Sequence, residues 1–333
     1  MYEPKTFTLL SIGHRGVGKT TFLLGSISEL QPCPPVGRAS EYWFECKNLQ
    51  DEKNINYLLS QIEEKGVYPS ATIKTGFFNF VLKQQQTWNE KIICDFVWRD
   101  IPGEIVSERV HTEFQQYVNL SHGCCIFVDA HALVNDPNYS ENLQGLITQT
   151  TRIAAIVKDR DLKYPFALIL TKFDLLTKGG SFHLGPSTQM TIAGNLHQIV
   201  DILESEKIIY KQFCSSIPII SEGERKVLNP QCAARPLLWL MAELNEIYKR
   251  QKVQDLGQAI AHQSNFWSQE TQVFGESKSS SARQQGLSTF LKYMLLIIVT
   301  TISLIGLAAA IFLINTRLEE RGVSPLAQPA FNR

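Results

Sequence analysis

The residues with the clearest chemistry lie near the start of the chain, in the octet GHRGVGKT that runs from Gly13 to Thr20. Two glycines with four residues between them, followed at once by Lys and Thr, have the spacing of a phosphate-binding loop. Glycines allow backbone N–H groups to curl around phosphate oxygens without a side chain in the way. The octet follows the strand-like run KTFTLLSI and opens the helix-like run KTTFLLGSISEL, so a helix N-terminus would also face the anion.

Two side chains of this loop have specific tasks in phosphate chemistry. Lys19 is expected to reach the β- and γ-phosphates of a nucleotide, and Thr20 to offer its hydroxyl to Mg²⁺. Backbone and side-chain contacts to the nucleotide are expected from the whole loop: Gly13, His14, Arg15, Gly16, Val17, Gly18, Lys19, Thr20 and Thr21. The sequence therefore predicts a nucleotide and Mg²⁺ as ligands.

A second candidate motif ends the strand-like run that begins at Lys91. Asp100 closes this run and is followed by a sharp Pro-Gly turn that contains Gly103. A carboxylate at a strand end suits a second contact to Mg²⁺, and the backbone N–H of Gly103 would then meet a γ-phosphate. The pattern DxxG is common on its own, and it gains weight here because it follows a phosphate-binding loop.

A third motif, TKFD, comes directly after the strand-like run YPFALIL and places Asp174 just past the strand end. Its carboxylate can accept hydrogen bonds from N1–H and the exocyclic N2–H₂ of guanine, a pair of donors that adenine lacks. The stem of Lys172 can lie across the base. Because a buried carboxylate left unpaired costs about 1–3 kcal/mol or more, the site would prefer GTP and GDP. Thr171, Lys172 and Asp174 are the predicted residues on the base side.

Taken in order, GHRGVGKT, DIPG and TKFD, each preceded by a strand, resemble the P-loop GTPases of the TRAFAC class, which includes Ras-like and translation-factor GTPases. The resemblance covers residues 5–250 and implies an α/β fold, a six-stranded and mostly parallel sheet flanked by helices, with GTP and Mg²⁺ at the strand ends. It also implies that Ser221 stands in the short base-contacting loop, although Glu222 departs from the usual Ala. The long insertion and the tail resemble, more narrowly, prokaryotic GTPases described as double-GTPase-like.

The same resemblance implies a first-switch threonine that contacts Mg²⁺ and the γ-phosphate. Thr72 and Thr75 both precede the strand-like run GFFNFVL, and the spacing favours Thr72. Two positions depart from the Ras-like pattern: Glu104 replaces the Gln that orients the attacking water, and Arg15 replaces a small residue. Arg15 either stabilises the developing charge in cis or points to solvent. The predicted catalytic residues are Lys19, Glu104 and Arg15, and the predicted metal ligands are Thr20, Thr72 and Asp100.

A negative charge at position 104 does not favour a developing anion, so intrinsic GTP hydrolysis is expected to be slow. We expect a protein partner, or self-association, to accelerate it.

The elements that must hold these motifs alternate between strand-like and helix-like runs over residues 1–250, which indicates an α/β domain with a mainly parallel sheet. Six runs are strand-like: Lys5–Ile12, Gly76–Lys83, Lys91–Trp98, Gly123–Ala130, Tyr164–Leu170 and Ile217–Ser221. Helix-like runs include Thr20–Leu30, Glu141–Val157, Met190–Glu206 and Pro236–Arg250.

Two parts of this domain depart from simple alternation. The second and third strand-like runs are separated only by QQQTWNE, so they predict a hairpin that adds an antiparallel edge to the sheet. Residues 32–75 are predicted to form a long, irregular insertion that contains a helix around Leu49–Glu64. Because this insertion adjoins the first switch, it is the predicted surface for a protein partner or for self-association.

The last quarter of the chain changes character. Residues 251–289 are rich in Gln and Ser and are predicted to be a linker. The 24 residues from Tyr293 to Thr316 carry no charge and would span about 36 Å as a helix, enough to cross a hydrocarbon core of about 30 Å. The sequence predicts a transmembrane helix within residues 290–316 and a short tail over 317–333. Because GTP is in the cytoplasm, the GTPase domain is expected there.

Composition narrows the possible partners. Lys plus Arg number 32 and Asp plus Glu number 32, and this zero net charge argues against nucleic acid as the main ligand. The seven cysteines form no CxxC pair, and no secretory signal opens the chain, so reduced thiols are expected. Cys124 and Cys125 lie in an apolar run and are predicted to be buried in the core.

Three functions are compatible with these residues. The first is a membrane-tethered GTPase that works as a switch or an assembly device. The second is a nucleotide-binding scaffold that does not hydrolyse GTP, which the residues at positions 15 and 104 would allow. The third is an ATPase or P-loop kinase in which TKFD occurs by coincidence. Competition between GTP and ATP separates the third from the others, and phosphate release separates the first two.

Overall fold

The structure, a computed structural model, describes residues 5–31, 41–70, 76–86, 89–100, 111–177 and 184–253. These residues belong to one unit, Met1–Asp255, whereas the unit Leu256–Arg333 lies outside them. The predicted transmembrane helix and tail fall in that second unit. Among the helices of the described ranges, none combines the length and the apolar character needed to cross a membrane.

The central element is a seven-stranded sheet, and a two-stranded hairpin stands apart from it. In chain order the strands are β1 (Thr6–Ile12), β2 (Tyr42–Cys46), β3 (Gly76–Gln85), β4 (Glu90–Asp100), β5 (Gly123–Asp129), β6 (Phe166–Thr171), β7 (Tyr210–Cys214), β8 (Ile219–Glu222) and β9 (Arg225–Leu228). The sheet order is β2-β3-β4-β1-β5-β6-β7, and β8 pairs with β9 in the hairpin. The described residues thus form an α/β fold.

Helices flank the sheet on both faces. They are α1 (Lys19–Glu29), α2 (Leu49–Lys65), α3 (His111–Asn119), α4 (Ala130–Asn135), α5 (Tyr139–Asp159), α6 (Pro186–Ser205) and α7 (235–253). A 3₁₀ turn, Phe173–Leu175, follows β6. The helix predictions for these parts of the chain are confirmed, including the helix inside the insertion.

The parallel part of the sheet positions the motifs. β1 pairs in parallel with β4 on one side and with β5 on the other, and β6 and β7 continue the parallel array. The predicted hairpin is present, because β3 is antiparallel to β4, and β2 adds a further antiparallel strand at this edge. All seven residues of β5 are buried, as expected for a central parallel strand covered on both faces.

Two layers of apolar side chains hold the helices to the sheet. Because side chains alternate along a strand, Leu9 joins the layer under α1 and α7, whereas Leu10 joins the layer under α3 to α6. Cys124 and Cys125, both fully buried, divide between the two layers in the same way. Burial raises the pKa of both thiols, and the prediction that they belong to the core is confirmed.

The far end of α1 is tied to the start of α7. The Glu29 carboxylate accepts hydrogen bonds from the backbone N–H groups of Cys232 at 3.0 Å and Ala234 at 2.7 Å. The Ser26 hydroxyl donates to the carbonyl oxygen of Ala233 at 2.8 Å. These N–H groups belong to residues that directly precede α7, so the carboxylate fixes the entry to the helix and lies near the positive end of its dipole.

The prediction of six strands is wrong in two places. Tyr42–Cys46, inside the supposed irregular insertion, forms the edge strand β2. The last parallel strand is Tyr210–Cys214 and not Ile217–Ser221, because residues Ile219–Glu222 belong to the separate hairpin. β7 is an edge strand with two exposed residues among its five, so its apolar pattern is weak, whereas the run after Ile217 is more apolar but is interrupted by Pro218.

Candidate nucleotide-binding site

The candidate site lies at the carboxyl ends of the parallel strands. In open α/β sheets this edge is where ligands bind, beside the point at which the connections leave for opposite faces. β1 separates its neighbours β4 and β5 here, and its last residue is followed by the phosphate-binding loop. The strands that surround the loop end on polar residues: Asp100 on β4, Asp129 on β5 and Thr171 on β6.

The loop after β1 has the backbone conformation that its glycines predict. Gly13, Gly16 and Gly18 have φ angles of 149°, 77° and 101°, in the region where a side chain is disfavoured. A Cβ added at Gly13 would lie 2.8 Å from the carbonyl oxygen of Phe127, so the loop also passes very close to β5. Gly18 then caps α1, so the N-terminus of this helix, whose dipole favours an anion, lies at the loop.

Lys19 is held inside the curve of the loop. Its Nζ donates to the carbonyl oxygens of Gly13 at 2.9 Å and His14 at 3.3 Å, and the residue is only 7% exposed. Burial lowers the pKa of the Lys19 ammonium below its ordinary value, and the Asp100 carboxylate opposes that shift. A buried ammonium among backbone dipoles is arranged to meet an anion such as a phosphate.

A carboxylate and two hydroxyl groups meet beside the loop. The Thr20 hydroxyl donates to Asp100 Oδ2 at 3.2 Å, and the Ser11 hydroxyl donates to Oδ1 of the same carboxylate at 3.1 Å. Asp100 is 1% exposed. Hydroxyl and carboxylate oxygens are the donors that Mg²⁺ prefers, so Thr20 and Asp100 fit the predicted magnesium site by their chemistry.

β6 is fastened directly to the loop. The Thr171 hydroxyl lies 2.7 Å from the carbonyl oxygen of Val17 and 3.1 Å from that of Val128, so it joins the ends of β5 and β6 to the loop that follows β1. Lys172 follows in a left-handed conformation with φ 53°, and Asp174 lies in the 3₁₀ turn. The strand end therefore carries the TKFD residues to the side of the phosphate-binding loop.

One cavity of about 260 Å³ brings these motifs together. Its phosphate-loop lining is Arg15, Gly16, Gly18, Lys19, Thr20 and Thr21, and its β6 lining is Thr171, Lys172, Asp174 and Leu175. Arg15 is exposed and lines this cavity. Gly13, His14, Val17 and Asp100 lie behind the lining, where they support it.

The structure does not bring Ser221 to the cavity. Ser221 lies in the hairpin, where its hydroxyl accepts a hydrogen bond from Lys226 Nζ at 2.6 Å. The residue that follows β7 and lines the cavity is Ser215, which is 1% exposed and whose buried hydroxyl has no hydrogen-bond partner among the described residues. Ser215, and not Ser221, therefore lies at the cavity.

Tyr68 covers the same side of the cavity. Its hydroxyl donates to the carbonyl oxygen of Ile217 at 3.0 Å, and its residue lines the cavity with Asp174. Burial raises the pKa of the Tyr68 phenol, and the Asp174 carboxylate adds to this shift. The segment after α2 thus reaches the loop after β7 across the cavity.

The His14 side chain of the phosphate-binding loop packs against the start of α5. Its ring meets the ring of Tyr139 edge-on, with centroids 5.1 Å apart, and its Nδ1 lies 2.6 Å from the carbonyl oxygen of Arg15. Burial lowers the pKa of His14 below its ordinary value of 6.5. A neutral imidazole is therefore favoured beside the loop.

Several residues of the site were missed by the sequence interpretation: Ser11, Tyr68, Asp129, Ser215 and Ile217. Asp129 had the same signal as Asp100, an acidic residue directly after an apolar run. Ser11 and Ser215 carry no recognisable pattern, because their importance depends on which strand ends become neighbours. The predicted residues Thr72, Gly103 and Glu104, and the alternative Thr75, lie outside the described residues.

Comparison with known proteins adds little to this geometry. No protein-family model matches the chain, and no curated protein matches it. Among solved structures, an ADP-ribosylation-factor-like GTP-binding protein from Encephalitozoon cuniculi, a small COPII coat GTPase in complex with GDP, is similar with a TM-score of 0.35 and 15% identity. The match covers 76% of this chain and 85% of that one.

Proposed function

We propose that this chain is a guanine-nucleotide-binding protein that hydrolyses GTP to GDP and works as a switch or an assembly device. The observation that carries the proposal is the single cavity lined both by the phosphate-binding loop, with Lys19, and by Asp174. The phosphate-binding loop suits the phosphates of a nucleotide, and the Asp174 carboxylate suits the edge of its base. Their meeting in one cavity favours a nucleotide over an isolated phosphate.

On the base side, Asp174 is proposed to accept the hydrogen bonds of guanine N1–H and N2–H₂. The buried Ser215 hydroxyl, without a partner among the described residues, offers a further polar contact beside it. A site built with such groups rejects a base that cannot satisfy them, because the wrong base leaves them unpaired. This is the physical reason to expect GTP and GDP in preference to ATP.

On the phosphate side, the backbone N–H groups of the loop and Lys19 Nζ would hold the β- and γ-phosphates. Thr20 and Asp100 would hold Mg²⁺, with Thr72 proposed as a further ligand from the first switch. When bound, Mg²⁺ neutralises the charge that develops on the phosphates. Ser11 keeps the Asp100 carboxylate oriented through its hydrogen bond of 3.1 Å.

Hydrolysis is proposed to be slow in the isolated chain. Glu104, in the place of the water-orienting Gln, is the proposed water contact, and Arg15, exposed at the cavity, is the proposed source of positive charge near the γ-phosphate. A partner, or a second copy of the chain, that meets the first switch and the insertion over residues 32–75 would accelerate the reaction. These switch segments would then be ordered while GTP is bound and released after its hydrolysis.

The experiment that tests the proposal measures binding of GTP, GDP and ATP to the full chain with Mg²⁺, followed by phosphate release from the same sample. Asp174→Asn should lower GDP affinity by about tenfold or more and shift preference towards xanthosine nucleotides, whose base offers an acceptor where guanine has a donor group. Asp201→Asn, an exposed carboxylate on α6, is the matched control. Equal affinity for ATP and GTP would overturn the guanine assignment.

Guanine binding without any phosphate release, with or without added partners or high protein concentration, would instead favour the non-hydrolysing scaffold. Rapid turnover at low protein concentration would contradict the proposed role of a partner or of self-association.

We also propose that the chain is attached to a membrane through residues 290–316, with the nucleotide site in the cytoplasm. The support is the uncharged stretch from Tyr293 to Thr316, which is long enough to span a bilayer. The test is flotation with lipid vesicles. The full chain should float with the vesicles, and a chain that ends at Gln251 should stay in the soluble fraction. If both behave alike, the anchor assignment is wrong.

A further inference from the structure

Asp129 occupies the junction between β5 and α4 and uses its two carboxylate oxygens for different tasks. Oδ1 accepts a hydrogen bond from the backbone N–H of Ala132 at 2.9 Å, which caps α4. Oδ2 accepts one from Lys172 Nζ at 2.5 Å. The Asp129 side chain is 7% exposed, whereas that of Lys172 is 39% exposed.

Capping alone does not account for a charged residue at this position. A helix N-cap needs one side-chain oxygen, and Asn, Ser or Thr supplies it about as well as Asp. A largely buried carboxylate is costly to desolvate and is tolerated when it is paired and hydrogen-bonded. The charge and the second oxygen of Asp129 are therefore explained by Lys172.

The ion pair fixes the course of a side chain that lines the nucleotide cavity. Lys172 starts from the end of β6, in a left-handed backbone conformation, and its ammonium is held at the end of β5. Its stem must therefore run along the cavity wall between these two strand ends, two residues before Asp174. A free lysine side chain has many rotamers, and holding one of them removes an entropic cost from ligand binding.

Asp129 is itself held from a second direction. Its backbone N–H donates to the Tyr139 hydroxyl at 2.9 Å, and the Tyr139 ring contacts His14 of the phosphate-binding loop. The Asp129 backbone, from which the carboxylate extends, is therefore held in place by a contact other than the ion pair.

We propose that Asp129 is a positioning residue of the nucleotide site. By pairing with the Lys172 ammonium, it keeps the Lys172 stem extended as the wall against which the base lies, next to Asp174. The inference rests on the proposed function and specifies which residue outside the recognised motifs prepares the base side of the cavity.

The test is a double-mutant cycle in the full chain, with a fluorescent GDP analogue and Mg²⁺ as the probe. The variants are Asp129→Asn, Lys172→Met and the double variant. Asn keeps an oxygen for the cap of α4 and removes the charge, and Met keeps an apolar stem and removes the ammonium. Asp201→Asn is the control for the loss of an exposed carboxylate. Thermal unfolding without nucleotide is measured on every variant.

We expect Asp129→Asn to weaken GDP binding about fivefold, and the double variant to bind no more weakly than Lys172→Met alone, because both changes break the same interaction. Independent losses that add in the double variant, or unchanged binding by Asp129→Asn, would overturn the positioning role. If Asp129→Asn does not fold, Asp129→Ser also retains a cap acceptor and replaces it in the cycle.

Failure of this inference is distinguishable from failure of the proposed function. If the parent chain does not bind the GDP analogue, the proposed function is wrong. If the parent chain binds it and the cycle shows no coupling, only the role of Asp129 is wrong.

Discussion

Gly13 opens the phosphate-binding loop and gives the sharpest test of the loop's geometry. We expect Gly13→Ala to destabilise the fold much more than Gly16→Ala, although both glycines lie in the same loop with positive φ. At Gly13 the new Cβ would lie 2.8 Å from the carbonyl oxygen of Phe127 and 3.1 Å from a methyl group of Val17. At Gly16 nothing lies within 4 Å of the new atom.

The difference between the two substitutions has a calculable size. The positive φ of either position costs an L-residue about 1–3 kcal/mol. Overpacking against a neighbour that cannot move easily adds about 1–3 kcal/mol, and this addition applies only at Gly13, where the neighbour is the backbone of a buried central strand. Gly13→Ala is therefore expected to cost about 2–6 kcal/mol, and to exceed Gly16→Ala by about 1–3 kcal/mol.

The assay is urea unfolding of the parent and the two variants without nucleotide, with tryptophan fluorescence as the signal. The free energy of unfolding is extrapolated linearly to water. Similar slopes for the three chains are required, because they show that the same surface unfolds in each. If Gly13→Ala costs no more than Gly16→Ala, the close approach of the loop to β5 is wrong.

Three further substitutions test other contacts. Glu29→Gln removes the charge that serves two N–H groups at the start of α7, and should lower the free energy of unfolding by about 1–2 kcal/mol in the same urea assay; an unchanged midpoint would contradict the cap. Arg99→Met removes a guanidinium that lies 4.8 Å from the Phe77 ring and 4.7 Å from the Tyr117 ring, and should cost about 1–2 kcal/mol, whereas a gain in stability would show that desolvation of Arg99 outweighs both contacts. Because burial lowers the pKa of His14, the native state binds fewer protons than the unfolded state there, and stability should fall as the pH drops through the ordinary value of 6.5. His14→Gln should lose less stability than the parent chain between about pH 7.5 and pH 5.5, and parallel losses would exclude His14 as a cause.

Sequence patterns were most informative where a local pattern and a tertiary requirement coincide. The octet from Gly13 to Thr20 needs its glycines for backbone conformation, and the structure gives Gly13, Gly16 and Gly18 positive φ angles. The buried strand β5 was predicted correctly because a strand covered on both faces is apolar throughout.

The sequence was least informative at the edges of the sheet. β2 and β7 each have one open side, so neither needs a continuous apolar pattern, and both were missed as strands. Because β7 was missed, the sequence interpretation chose Ser221, which lies in the hairpin, and not Ser215, which lines the cavity. Edge strands are identified by their pairing partner, which lies far away in the sequence and is not visible in the local pattern.

The partners of motif residues were also hidden from a sequence interpretation. Asp129 and Ser11 act through Lys172 and Asp100, and these pairs meet only because β5 lies beside β6, and β1 beside β4. The chemistry of each group was readable from its type, but its partner depended on strand order.

The hydrogen bonds that build the site also determine when it can form as the chain is synthesised. Ser11 and Asp100 are 89 residues apart, and Thr171 and Val17 are 154 residues apart. Because Thr171 lies halfway along the chain, about half of the chain must leave the ribosome before the loop near its start can acquire its final shape. Contacts between such distant residues also form slowly. A nucleotide bound there would stabilise only chains that have already joined these strands, so it would slow unfolding of the finished protein and leave the earliest folding steps unchanged.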